Sequence, residues 1–196
     1  NMARGVTLRQ VPFPDYDSES SALVKMYLSG RFGQKPDDVN AYAASSFYAV
    51  DRFASYKTDW GAFYREGGLV LSDRYTTSNA VHQCSKLPPA QWDGFLNWLF
   101  DFEYKKIGIP EPDLVLYLAV DPEVSQKLLE NRYHGDESKK DIQEKDREYM
   151  ARSRAAAEYC ARTLGWQRIE CTCAGRAMRP VEEINAEILA KTDRIL

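Results

Sequence analysis

No apolar run in this 196-residue chain approaches the roughly 20 residues that cross a bilayer, so a membrane-spanning protein is not expected. The opening residues lack the charged, apolar and small-residue succession of a secretory signal, and a cytoplasmic location is expected. Cysteine is scarce: four in a chain of this size do not make a disulfide framework. Cys171 and Cys173 alternate at a strand end and share a face, but no second Cys/His pair stands at ligand spacing, which argues against a structural metal site. An excess of one charge is lacking too. With 26 Lys+Arg against 29 Asp+Glu the net charge is -3, which argues against a general nucleic-acid binder while leaving room for a local basic site.

What is present suits a packed core: 44% hydrophobic and 28% charged residues, at a length that fits one domain or one domain with a small subdomain. "VTLRQV" (6–11) reads as a strand, and "SSALVKMYLSG" as a helix with Leu23, Met26 and Tyr27 on one face and Gly30 as its stop. Asn40 is placed to cap a long helix to about Arg65, ended by Gly67-Gly68. "LVLS" from Leu69 is a strand too apolar to have one face in water. Residues 89–107 read as a helix carrying Phe95, Trp98, Leu99 and Phe102, and "DLVLYLAV" (113–120) as another buried strand behind Pro110 and Pro112. A helix from Pro122 to about Glu130, a polar loop over 131–140, a helix to Leu164, the strand "QRIECT" and a final helix with Pro180 in its first turn complete the chain.

Apolar strands alternating with helices predict an α/β fold, a parallel sheet covered on both faces. Ligands of such sheets bind beyond the carboxyl ends of the strands. Asp73-Arg74-Tyr75, "VPFPDY" (11–16) and "VDPE" (120–123) all fall at that edge. Arg74 offers a fork of donors suited to phosphate, and Asp73 could hold Mg²⁺ through water. Ser78, Asn79, His82 and Gln83 follow at helical spacing; Asn79 and Gln83 are four apart, and their amides suit the mixed donor and acceptor edge of a nucleobase. A helix cap with polar surface residues would leave the same pattern. Tyr48 and Arg52, also four apart, can stack on and hydrogen-bond a flat heterocycle; a core aromatic beside a surface Arg-Asp pair is the plainer alternative. Arg132, Lys139 and Lys140 cluster in a glycine-containing loop, as a lid closing over phosphates would need and as a solvated charge run would also show.

In this order the segments resemble the thymidylate kinase family of P-loop nucleoside monophosphate kinases, from about residue 8 to 190. "FPDY" (13–16) is similar to its Phe-Pro segment, and "YAVDR" (48–52) to the helix carrying a base-stacking aromatic and an arginine. "SDRYTTSNAVHQ" (72–83) matches its most specific motif, and "PEPDLVLYL" (110–118) its next strand and the approach to it. The resemblance implies a three-layer sandwich, with a parallel sheet of about five strands in the complete family fold, helices on both faces and a small lid. The whole chain, 1–196, would be one such domain, with 131–140 as the lid. It implies phosphorylation of dTMP to dTDP with ATP and Mg²⁺, small molecules as partners rather than nucleic acid or membrane, and a homodimer packed through helices on one side of the sheet.

The residue roles it implies are these. Tyr48 stacks on thymine; Arg52 and Asn79 hydrogen-bond its polar edge. Tyr16 and Arg74 contact the monophosphate, and Phe13, Ser78, His82 and Gln83 also line the dTMP site. Asp73 helps place Mg²⁺. Arg132, with Lys139 and Lys140, covers the ATP phosphates, and Arg74, Arg132 and Asp73 form the catalytic set. The segment after Cys173 lies near adenine.

Two departures stand out. His82 occupies a position where the family often has a tyrosine linked to rejecting the ribose 2′-hydroxyl; an imidazole can fill that space. No "GxxxxGK[ST]" occurs in the sequence, and "NMARG" resembles the tail of the helix that follows that loop in the family. The loop is expected upstream; a strand supplied by a partner, or a non-catalytic nucleotide-binding homologue, are the alternatives. A deoxynucleoside kinase shares the Asp/Glu-Arg element, but "FPDY" and "YAVDR" favour the monophosphate acceptor. Cys84 and Cys160 read as packing, His134 as solvent-facing, and Trp92, Phe95 and Trp98 as core or dimer surface.

Overall fold

The computed structural model of the chain describes residues 7–134, 136–174 and 177–193. The expected helix tail "NMARG", the strand residue Val6, residue 135 of the polar loop and residues 175–176 after Cys173 lie outside them. In chain order the elements are β1 (Leu8–Pro12), α1 (Ala22–Leu28), α2 (Ala41–Ser55), β2 (Leu69–Asp73), α3 (Thr76–Cys84), α4 (Trp92–Phe100), β3 (Leu116–Ala119), α5 (Pro122–Arg132), α6 (Ile142–Lys145), α7 (Arg147–Thr163), β4 (Gln167–Glu170) and α8 (Val181–Thr192). Two units form. The first runs to Glu111 and includes Asp141–Ala156; the second takes Pro112–Lys140 and the chain from Ala157.

In the first unit β1 and β2 pair in parallel, from Leu8 opposite Leu69 to Pro12 opposite Asp73. The Phe13 amide donates to the Asp73 carbonyl at 3.0 Å, so both strands end level. Their crossover is α1 and α2, the helical connection a parallel pair requires. Asn40 caps α2 as expected, its side chain accepting from the Ala43 amide at 2.9 Å. The helical path does reach Arg65, but through a π-helical stretch, Tyr56–Trp60, before Gly61–Arg65. Gly61 permits this: a Cβ there would stand 2.2 Å from the Tyr56 carbonyl oxygen. A second π segment, Asp101–Ile107, prolongs α4 and ends at Gly108, whose φ of 82° is left-handed.

One core gathers Val11, Phe13, Trp60, Tyr75 and Ile109; another gathers Tyr27, Val39, Ala44 and Ile142, with Phe47 and Tyr48 against it. On α1 the buried residues are Val24 and Tyr27, not the expected Leu23. The 3₁₀ turn Glu19–Ser21 leads into a helix of only seven residues and sets its phase, so that two positions three apart face inward.

In the second unit β3 and β4 pair in parallel, Leu116 opposite Gln167 through Ala119 opposite Glu170, and α8 packs on β4. α5 extends past Glu130, which places Arg132 in its last turn rather than in the loop. The single helix expected to Leu164 is interrupted at Asp146, whose carboxylate accepts the Tyr149 amide at 2.9 Å and so starts α7 afresh.

Parallel strands joined by helices are the α/β organisation expected. Burial on both strand faces is not complete: Leu71 of β2 and Leu118 of β3 are each 49% exposed. Among the described residues each sheet has two strands, and a two-stranded ribbon leaves much of its surface in water. No helix among the described residues is long and apolar enough to cross a membrane.

Candidate functional site

The level ends of β1 and β2 lead into α3, whose buried residues are Thr76, Asn79, Ala80, Gln83 and Cys84. Their spacing of three and four turns a polar stripe, Thr76-Asn79-Gln83, into the protein. Buried polar groups need partners, and the partner here is Glu103. It lies in the π segment after α4 and is 0% exposed. Arg52, 2% exposed, donates Nε to Glu103 Oε2 at 2.7 Å and Nη2 to Oε1 at 2.6 Å. Thr76 Oγ1 donates to Oε2 at 2.9 Å; Asn79 Nδ2 donates to Oε1 at 3.1 Å and to the Ser45 carbonyl at 3.2 Å.

Sequence reasoning missed Glu103. A signal existed: Phe95, Leu99 and Glu103 fall every four residues on one buried face. A carboxylate closing an apolar stripe requires a buried cation.

Among the described residues the network makes no hydrogen bond through Arg52 Nη1 or Asn79 Oδ1. Gln83 is wholly buried with neither amide end paired among the described residues, and the Ser45 hydroxyl is likewise unpaired. Tyr48 is half-buried one turn before Arg52. Burial pushes its phenol well above the ordinary value; Tyr27, Tyr16 and Asp141 act in the same direction and Arg74 opposes them.

At the other end, Asp51 is buried and accepts the Asp15 amide at 2.9 Å and the Ser20 hydroxyl at 2.6 Å. It thereby ties "FPDY" to α2. Tyr16 beside it is exposed, whereas Phe13 is 4% exposed in the first core, against the Tyr75 ring. Asp73 and Arg74 are exposed. Arg74 has a left-handed φ of 68°, uncommon for a residue with a side chain, and its carbonyl accepts the Ser72 hydroxyl. Ser78 is half-buried on α3. His82, also half-buried, has Nε2 3.4 Å from Arg74 Nη1 and Nδ1 3.3 Å from the Tyr149 hydroxyl. Burial first, then Arg74 and Lys86, lower its pKa to about 3.

Arg132, Lys139 and Lys140 stand in the second unit. The first two are exposed and Lys140 is buried; Lys139 pairs with Asp136 at 3.6 Å. His134 is exposed, Cys84 and Cys160 are buried, and Cys171 is buried while Cys173 is exposed. Trp92 and Phe95 are buried, and Trp98 packs between Tyr42 and Phe102 with ring centroids 4.6 and 5.1 Å away. Among the described residues no three His, Cys, Asp or Glu side chains gather into a metal cage. A lone exposed carboxylate, Asp73, fits the way Mg²⁺ is usually held, by one or two carboxylates, phosphates and water.

The chain matches the thymidylate kinase family profile over residues 8–172. It is similar to the thymidylate kinase of Mycobacterium tuberculosis, 29% identical over 167 residues that cover 84% of this chain and 76% of that protein. The thymidylate kinase of Danio rerio is 22% identical over 188 residues, 94% of this chain and 74% of that protein. That of Caenorhabditis elegans is 29% identical over 113 residues, 58% of this chain and 45% of that protein. The profile spans most of the chain, including every acceptor-side residue described above, and the chain belongs to the thymidylate kinase family.

Proposed function

We propose that this chain phosphorylates dTMP to dTDP with ATP and Mg²⁺, and that its first unit holds the acceptor nucleotide. The observation that carries the reading is Gln83, an amide wholly buried and unpaired at both ends among the described residues, one turn beyond Asn79. An amide left so is costly. A pyrimidine edge that both donates and accepts would satisfy it, with Arg52 Nη1 facing a base carbonyl, Asn79 Oδ1 facing a base N–H and Tyr48 stacking on the ring. Glu103 fixes Arg52 and Asn79 before any ligand arrives, so little ordering is left for binding.

Tyr16 and Arg74 would take the monophosphate, and Asp73 would hold Mg²⁺ through water. Mg²⁺, when bound, neutralises charge on the phosphates. The acceptor oxygen is already ionised, so the side chains need not remove a proton; they orient the phosphate and offset its charge. Arg132, with Lys139 and Lys140, serves the donor phosphates as a lid. Exposed Tyr42, Val50 and Phe53 along α2, beside Trp98, support a homodimer through that face.

Calorimetry tests the base pocket. Gln83→Leu should weaken dTMP binding about tenfold, the effect of one lost hydrogen bond; unchanged affinity removes Gln83 from the site. Steady-state kinetics test the lid: Arg132→Ala should lower kcat more than it weakens dTMP binding, and a raised KM alone would contradict the role.

A further inference from the structure

The hydrogens between Arg74, His82 and Tyr149 can be assigned one by one. A guanidinium only donates, so His82 Nε2, 3.4 Å from Arg74 Nη1, must present its lone pair. The proton of the neutral ring is then on Nδ1, which donates to the Tyr149 oxygen at 3.3 Å, while the phenol donates to the His82 carbonyl at 3.1 Å. The two rings stack, with centroids 6.0 Å apart and planes 15° apart, and Tyr149 is wholly buried. The other tautomer would set two N–H groups against each other at Arg74.

We propose that His82 is a positioning residue for Arg74: its neutral Nε2, with the tautomer set by Tyr149, fixes the plane of the guanidinium so that the remaining donors meet the acceptor phosphate. This rests on the reading of Arg74 as a phosphate ligand. Arg74 is exposed on a left-handed residue, where a long side chain has many orientations in water. One fixed acceptor removes that freedom and leaves the other N–H groups available. The charged and titratable groups facing His82 are Arg74 from the turn before α3, Lys86 just beyond α3 and Tyr149 from α7. Two cations and burial keep the ring neutral; a proton on Nε2 would turn the acceptor into a donor and release Arg74.

The chain has two histidines, so ¹⁵N spectra of the full chain, with His134 assigned by substitution, read the tautomer directly. A protonated Nδ1 and bare Nε2 are expected from pH about 7 down to about 5, below the ordinary imidazole pKa. An Nε2–H tautomer or an imidazolium in that range overturns the proposal. Calorimetry with dTMP and with thymidine, which lacks the phosphate, then isolates the phosphate contact. His82→Phe should weaken dTMP binding about tenfold more than it weakens thymidine binding, the size expected for one charge-assisted hydrogen bond. His82→Gln, whose amide oxygen can accept in place of Nε2, should recover most of the loss, and adding His82→Phe to Arg74→Ala should cost nothing further. If Arg74→Ala leaves dTMP affinity intact, the phosphate reading itself fails. If Arg74→Ala weakens dTMP but His82→Phe does not, or affects thymidine equally, or the two losses add, the reading of Arg74 stands and the role of His82 fails.

Discussion

Arg52 of α2 and Glu103 of the segment after α4 are 51 residues apart in sequence, yet both carboxylate oxygens of Glu103 accept from the Arg52 guanidinium. Their side chains are 2% and 0% exposed. Such a pair is tolerated only when the remaining lone pairs also find donors, and Thr76 and Asn79 supply them.

Glu103→Gln should therefore destabilise the protein by about 3–5 kcal/mol, because it strands a buried guanidinium. Denaturant unfolding at unchanged m value measures it. Arg52→Met added to Glu103→Gln should restore much of the loss, since removing both charges is often near neutral. A loss under about 1 kcal/mol for Glu103→Gln alone would mean that Arg52 does not depend on this carboxylate.

Gln83→Leu should separate stability from binding. Removing an unpaired buried amide should leave the melting temperature unchanged or raise it, while dTMP affinity falls. A lower melting temperature with intact affinity would assign the amide to the fold.

Asp51→Ala removes the acceptor shared by the Asp15 amide and the Ser20 hydroxyl. A stability loss of about 1.5–3 kcal/mol is expected, the range for hydrogen bonds to a charged group. Amide exchange at Asp15 should also accelerate, as the segment after β1 opens on its own. Unchanged exchange at Asp15 would show that other contacts hold it.

His82 makes stability depend on pH. Its pKa falls from 6.5 to about 3 on folding, so between these values the unfolded chain binds a proton that the folded chain refuses. Stability is then full above about 6.5 and declines as pH falls toward 3. Lys86, lowered by burial to about 8, acts in the same sense at higher pH: stability rises between about 8 and 10.5. Thermal melts of the wild type and His82→Phe between pH about 4 and 7 should differ in slope, with the variant flatter. Parallel curves would place the proton elsewhere.

Much of the scaffold was legible because local chemistry decides it. Asn40 caps α2, Gly67-Gly68 follow the helical path that ends at Arg65, and the apolar runs at Leu69 and Leu116 are strands. Of the α3 stripe, the shared face of Asn79 and Gln83 was legible through spacing, while Thr76 was not. Where the reading missed, the deciding feature lay outside the stretch that was read. Leu23 and Met26 could have faced inward until the turn at Glu19–Ser21 set the phase of α1. Arg52 and Asn79 were read as ligands of a base, and each also serves Glu103, a residue with no local mark beyond its place on an apolar face. Tyr149 reaches His82 across 67 residues, and neither window hints at the other. Arg132 ended in α5 because helix boundaries shift with packing that spacing does not report.

The bulge at Gly61 lets one rod serve two interiors. Upstream, Ala44, Phe47 and Tyr48 pack with Tyr27 and Ile142; downstream, Trp60 packs with Val11, Phe13 and Tyr75. A regular helix keeps a fixed angular frame, about 100° per residue, so its buried stripe runs on one side from end to end. The π stretch acts as an inserted residue and turns everything after it by roughly that angle. Tyr56, Trp60 and Tyr64 thus reach the strand-end core, and Gly61 works as a clutch between two registers. Deleting a single residue there would leave the helix intact while swinging Trp60 about 100° away from Phe13 and Tyr75, so a change in length here should cost the core more than its one missing residue.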